Sequence, residues 1–241
     1  MKVFRGILLG ALLAGAISGV VATVAHQIWT VPLIEKAETY PAPPGAEPSP
    51  QGWRPANGFQ RTASTAVADI VTAIATALLL LAAYVIRGHE VNWLRGLHWG
   101  LGAFAALTLW PNLGLPPYLP GQAMARHLDR QIWWSVTAIM AVAGLLLLLY
   151  ARKILPVIGG LLLLVLPQLY GAPLPQSYNS AIPESLAHQF VVTSVLTNLM
   201  FWLVVGSLTG LFYERFVVQG APKRELSPAR PSIPAAANPA D

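Results

Sequence analysis

The chain has 241 residues, 55% of them hydrophobic and only 10% Lys, Arg, Asp or Glu, with a mean hydropathy of +0.55. A soluble domain of this length needs roughly a quarter of its residues charged, so the composition excludes a water-soluble globule. The net charge of +5 comes from 15 basic and 10 acidic residues standing in short clusters between apolar runs, which argues against nucleic-acid binding and makes the charge a topology signal; with no cysteine, disulfides, thiolate metal sites and cysteine nucleophiles are excluded too.

The first apolar run, a span of about 4–29, follows Lys2 and Arg5. It begins like a signal peptide, but its length and its continuation through Trp29 to Pro32 without a small-residue cleavage site favour a retained helix. Gly6, Gly10, Ala14 and Ser18 recur every fourth residue and place small side chains on one face, suited to close helix approach. Residues 33–64, with Pro41, Pro43, Pro44, Pro48, Pro50 and Pro55, are expected to form an extended external loop. Further spans are expected at about 65–86, 94–110 (stopped by Pro111) and 132–150, the last between Trp133–Trp134 and Arg152–Lys153, which mark opposite interfaces. The segment at about 154–169 is short for a crossing, with a re-entrant segment as the alternative, and a final span covers about 190–212. Residues 1–215 thus form a transmembrane helical domain, and 216–241 a disordered cytoplasmic tail.

With six crossings and both termini cytoplasmic, ten basic residues fall inside and five outside, at Lys36, Arg54, Arg61, Arg126 and Arg130. The run from Trp110 to Pro117 and that from Leu166 to Pro173 share a proline-broken ending, and each precedes a polar pair opening the next apolar run, Arg130-Gln131 and His188-Gln189. The expected fold is therefore an all-α integral membrane protein, a six-span helical bundle. Three hairpins in parallel repeat are one arrangement the pattern allows, the other being that Pro, Gly and Asn simply end membrane helices.

Polar groups within such spans ask for partners. His26 stands in the first span, and Asp69 in the second, one turn from Thr65 and Thr72. His127 and Asp129 precede the fourth span, while Glu184 and His188 lie four apart before the sixth, on one helical face if Pro183 opens that helix. Imidazole nitrogen and carboxylate oxygen suit cobalt, nickel or zinc, so these six residues are the candidate metal ligands; interfacial snorkelling or structural hydrogen bonding is the alternative for each. Asn198, mid-span, reads as an interhelical clamp or a path residue.

The Pro-Leu-Ile-Glu-Lys-Ala-Glu run at 32–38, Pro111-Asn112-Leu113-Gly114, Pro117-Tyr118-Leu119-Pro120-Gly121, Arg130-Gln131-Ile132-Trp133-Trp134, and the stretch from Ile182-Pro183-Glu184 to Gln189-Phe190 carry a resemblance. Over most of residues 1–215 the chain resembles CbtA, a family of proposed cobalt transporter subunits. That resemblance implies cobalt uptake across the bacterial inner membrane, related to cobalamin synthesis, with a small single-span companion subunit bearing a histidine-rich segment. It implies Co2+ as cargo, with no cofactor bound permanently. Glu35, Glu38, Asn112, Arg130, Gln131, Glu184 and Gln189 match the family pattern, and are read as path or structural residues; no established ligand is transferred onto them.

The residues and the resemblance favour a divalent-cation permease subunit. Membrane potential would supply roughly 4 to 5 kcal/mol per 100 mV for an inward divalent ion. No Gly-rich loop followed by Lys and Ser or Thr is present, so ATP use would need another chain. The alternative is a structural or assembly subunit of a larger inner-membrane complex, without transport activity of its own; a homo-oligomer is also compatible with the sequence. An enzyme is disfavoured: there is no His-Glu-x-x-His pattern, and Ser64 and Ser135 lack a neighbouring base in sequence.

Overall fold

The computed structural model describes residues 2–41, 55–88, 90–175 and 180–219. Among them every regular element is helical. Helix α1 joins Lys2–Ala25, a π turn at His26–Thr30 and a second α stretch, Val31–Glu38. Helix α2 is Phe59–Arg87; α3 joins Trp93–Phe104, a π turn at Ala105–Leu109 and Trp110–Asn112; α4 is His127–Tyr150; α5 is Ile154–Tyr170; and α6 is Glu184–Tyr213 with a terminal π turn at Glu214–Val218.

The expected loop at 33–64 begins later than its prolines suggest, because α1 runs past Pro32 to Glu38. Proline cannot donate to the carbonyl four residues back and its ring crowds that carbonyl. The π turn just before it absorbs the mismatch: Val31 N–H reaches back five residues to His26 O. The same device recurs before Pro111, where Trp110 N–H reaches Ala105 O. Residues 42–54, the heart of the expected loop, and 220–241, most of the expected tail, lie outside the described residues. Helix α2 ends on Gly88, whose positive φ of 71° lets its N–H close on Tyr84 O at 3.1 Å.

The six-span expectation is corrected by the helices themselves. Among the described residues, four are long and apolar enough to cross a membrane: Val3–Glu38, Phe59–Arg87, His127–Tyr150 and Glu184–Val218. Helix α5 has 17 residues, about 25 Å at 1.5 Å per residue, short of a hydrocarbon layer of about 30 Å. Helix α3 is diluted by Arg95, His98, three tryptophans and Asn112. Hydrophobic runs alone counted both as crossings because they are apolar over part of their length.

The parallel-hairpin arrangement is also replaced. The dominant pairings are α1 with α2, α3 with α6, and α4 with α5, so α3/α4 and α5/α6 are not the packed hairpins that the repeated endings suggested. Each pair is antiparallel and meets over glycine. Gly15 and Gly19 lie on Ile74 and Ile70; Gly96 and Gly100 lie on Gly206 and Gly210; Gly144 meets Gly160. In lipid, where apolar side chains gain little by leaving the solvent, such backbone approach and its van der Waals contact hold helices together. The expected small-residue face of α1 serves the same purpose toward α6, with Gly6 against Phe216, Gly10 against Phe212, and Ala14 and Ser18 fully buried.

The main core gathers Leu81, Tyr84, Trp202, Val205 and Tyr213. Tyr84 Oη and Thr209 Oγ1 share a buried hydrogen bond of 3.0 Å, tying α2 to α6. Trp202 Nε1 donates to Thr108 Oγ1 at 2.9 Å, inside the π turn of α3. A second cluster at the other end seats Leu33 and Ala37 of α1 among Leu119, Ile182, Leu186 and Phe190.

Candidate functional site

Between Arg5 and Glu35 the only titratable side chain is His26, and between Arg61 and Tyr84 it is Asp69. The antiparallel α1/α2 pairing brings these two together. His26 Nδ1 lies 3.0 Å from Asp69 Oδ2, and Thr23 Oγ1 also lies 3.0 Å from that oxygen. The Thr23 hydroxyl has one proton to share between Asp69 and Gly19 O, which is 2.9 Å away. An ionised carboxylate only accepts, so the imidazole donates from Nδ1 and a neutral ring keeps its lone pair on Nε2. A carboxylate that fixes one ring nitrogen so that the other can ligate is a recurrent support for metal-binding histidine. His26 opens the π turn of α1, its carbonyl taken by Val31 N–H and, at 3.1 Å, by Thr30 Oγ1. The side chains retain 30% and 16% of their exposure, so the pair is not sealed inside the bundle.

The other expected ligands are distributed differently. Asp129 is engaged by Arg126 through two hydrogen bonds, Nε to Oδ2 at 2.9 Å and Nη2 to Oδ1 at 3.0 Å; the same contact raises the Arg126 pKa above its usual value. His127 Nε2 pairs with the Gln131 amide at 2.9 Å. Glu184, His188 and Gln189 are exposed at the start of α6, the first two on the side away from buried Leu186 and Phe190. Among the described residues, no group of three or more His, Asp or Glu side chains could hold a metal ion. Glu38 accepts both guanidinium branches of Arg61, at 2.8 and 2.9 Å, with Glu35 exposed one turn earlier. Asn198 donates to Ser194 O in its own helix at 3.1 Å, which spends one of its amide protons locally instead of on a neighbouring helix.

A cavity of about 940 Å³ opens between α2 and α4, floored by α3 and α6. Asn112, His127, Arg130, Gln131 and Asn198 reach it, which places five sequence candidates around one space, apart from His26 and Asp69.

Sequence reasoning missed Thr23, the second donor to Asp69, although it stands three residues before His26 on the same helical side. It also missed the facing pairs Gly96/Gly100 and Gly206/Gly210, whose four-residue spacing carries the signal. The ties that lock the end of α3 to α5, Trp110 Nε1 to Leu164 O at 2.8 Å and Gln168 Nε2 to Trp110 O at 2.9 Å, leave no local trace in sequence.

No curated protein and no solved structure matches the chain. A family model does, over residues 4–214, and its description is "Probable cobalt transporter subunit (CbtA)". The chain therefore belongs to the CbtA family: a multi-pass transporter subunit of the bacterial inner membrane, not an enzyme, whose cargo is a divalent cation.

Proposed function

We propose that the cargo is Co2+ and that the chain passes it inward through a site centred on His26 and Asp69. The observation that supports this most directly is the 3.0 Å pair joining α1 to α2, formed by the only titratable groups in the apolar stretches of those helices. An intramembrane ionisable pair is costly to retain without a role. His26 Nε2 and the remaining lone pairs of Asp69 offer a nitrogen and an oxygen donor, a set that Co2+ accepts. Two protein donors leave the ion partly hydrated, which keeps binding weak enough for release. Exposed Glu184 and His188 would collect ions at the same end of the bundle, where α6 starts beside the end of α1. A small single-span companion with a histidine-rich segment would complete the coordination that the described residues do not supply.

The test is radioactive cobalt uptake into vesicles carrying the purified chain, with an inside-negative potential, with and without the companion. Uptake that requires this chain supports the proposal. A companion that transports equally well without it would overturn the reading and leave the chain a role in assembly.

A further inference from the structure

The cavity between α2 and α4 does not have the chemistry of a cation site. Among its described lining residues there is no carboxylate, and Arg130 contributes a guanidinium. A divalent cation near an uncompensated guanidinium is repelled, whereas an anion there is favoured. Deeper in, several polar groups are already engaged within the bundle. Thr76 Oγ1 donates to Thr72 O at 2.8 Å, Asn198 Nδ2 to Ser194 O at 3.1 Å, and Trp202 Nε1 to Thr108 Oγ1 at 2.9 Å. What the interior presents besides is hydrocarbon and aromatic surface from Leu79, Leu80, Leu107 and Phe201, interrupted by the uncharged side chains of Thr72, Asn112 and Ser135.

The mouth lies at the start of α4, where Trp133 and Trp134 follow Arg130 and Gln131. Arg130 is only partly satisfied: Nη1 points at Met124 Sδ, 3.1 Å away, the guanidinium stacks 4.6 Å from the Tyr118 ring centre, and Nε is buried with no hydrogen-bond partner among the described residues. The neighbouring Arg126 is neutralised by Asp129. A cationic, aromatic-flanked mouth over an apolar cleft between membrane-spanning helices matches a phospholipid with a negative head. Leu79 and Trp134, on opposite walls, are 73% and 42% exposed, so the cleft is open sideways to acyl chains.

We infer that this cleft binds one anionic phospholipid, its phosphate on Arg130 with His127 and Gln131 beside it, and its acyl chains between α2 and α4. The site is separate from His26 and Asp69, and its test does not depend on transport.

Purified full-length protein is equilibrated in micelles containing equal amounts of dioleoylphosphatidylglycerol and dioleoylphosphatidylcholine, and retained lipid is counted by native mass spectrometry. The wild type should keep phosphatidylglycerol in preference to phosphatidylcholine. Arg130→Gln should reduce that preference about fivefold, the effect of one basic residue near an anionic head, and Arg126→Gln should leave it unchanged. Thr76→Trp, which fills the cleft without touching the mouth, should expel the lipid. If Arg130→Gln fails to fold, Arg130→Lys takes its place: a kept preference supports the site and a lost one overturns it. Equal retention of the two lipids by the wild type, equal effects of Arg130→Gln and Arg126→Gln, or undiminished retention in Thr76→Trp would each overturn the inference. So would an absence of retained lipid, as expected if the cleft were reserved for a helix of another protein.

Discussion

Replacing Gly206 by Ala should drive α3 and α6 apart, and the geometry sets the cost. A Cβ at that position would stand 2.6 Å from Gly96 O and 2.8 Å from Gly100 Cα. Ordinary non-bonded contact begins at about 3.5 Å, so the helices must separate locally by roughly 0.7 to 0.9 Å. Neither obstacle is a flexible side-chain end; both are backbone, and the loss spreads to the neighbouring Gly96–Gly210 contact. Forcing one extra methyl into a close-packed interface costs typically about 1–3 kcal/mol, and the better helix propensity of Ala returns about 0.5–1. With two backbone obstacles met at once the upper part of the first range applies, and a net loss of about 1–2.5 kcal/mol is expected. Gly102 is the internal control, since it lies on the same helix α3 with nothing within 4 Å of its added Cβ. Gly102→Ala should be neutral or slightly stabilising. Denaturant unfolding in micelles, followed by tryptophan fluorescence, measures both. A Gly206→Ala protein as stable as the wild type, or a Gly102→Ala protein equally weakened, would refute the glycine-contact account of the α3–α6 pairing.

Three further substitutions probe single ties in the bundle. Tyr84→Phe removes the hydroxyl that meets Thr209 in a fully buried setting, and should lower unfolding free energy by about 0.5–1.5 kcal/mol in the same titration. Trp202→Phe deletes the donor to Thr108 in the π turn of α3; a loss of about 1–3 kcal/mol is expected from the orphaned hydroxyl and the smaller ring, read from the melting midpoint. Arg61→Ala breaks the pair with Glu38, whose side chain is 41% exposed, and should cost no more than about 1 kcal/mol, with the deficit shrinking in high salt.

The membrane class and the rough places of the helices were legible because hydrocarbon depth demands long apolar runs. The run at 65–86 lies inside Phe59–Arg87, and that at 132–150 inside His127–Tyr150. Pro32 misled because a proline is a local stop signal, whereas its cure is a π turn whose registry the sequence does not display. The two overcounted crossings fail on length or on polar dilution, which a reading of apolar runs underweights. Helix partnering was hidden for another reason. Recurrent endings reported how helices stop, while Gly96, Gly100, Gly206 and Gly210 decide which helices touch.

At the candidate site, apolar surroundings singled out His26 and Asp69 as polar groups that ask for partners, but not their contact with each other across 43 positions of chain. The Glu184–His188 spacing places both on one exposed side of α6, and leaves them outside any three-residue cluster among the described residues. Asp129 stood with Asp69 among the candidate ligands and differs from it, because Arg126 three residues earlier already occupies both of its oxygens.

That contrast supplies the most direct test of cation passage through the α1–α2 pair. Initial rates of potential-driven cobalt uptake are measured in vesicles containing equal amounts of wild type, Asp69→Asn or Asp129→Asn protein. Asp69→Asn should slow uptake by about 10- to 100-fold, the effect of losing a carboxylate that orients a ligating imidazole, and Asp129→Asn should transport like the wild type. Wild-type rates in the folded Asp69→Asn protein, or an equal loss in both variants, would contradict a cation path through His26 and Asp69.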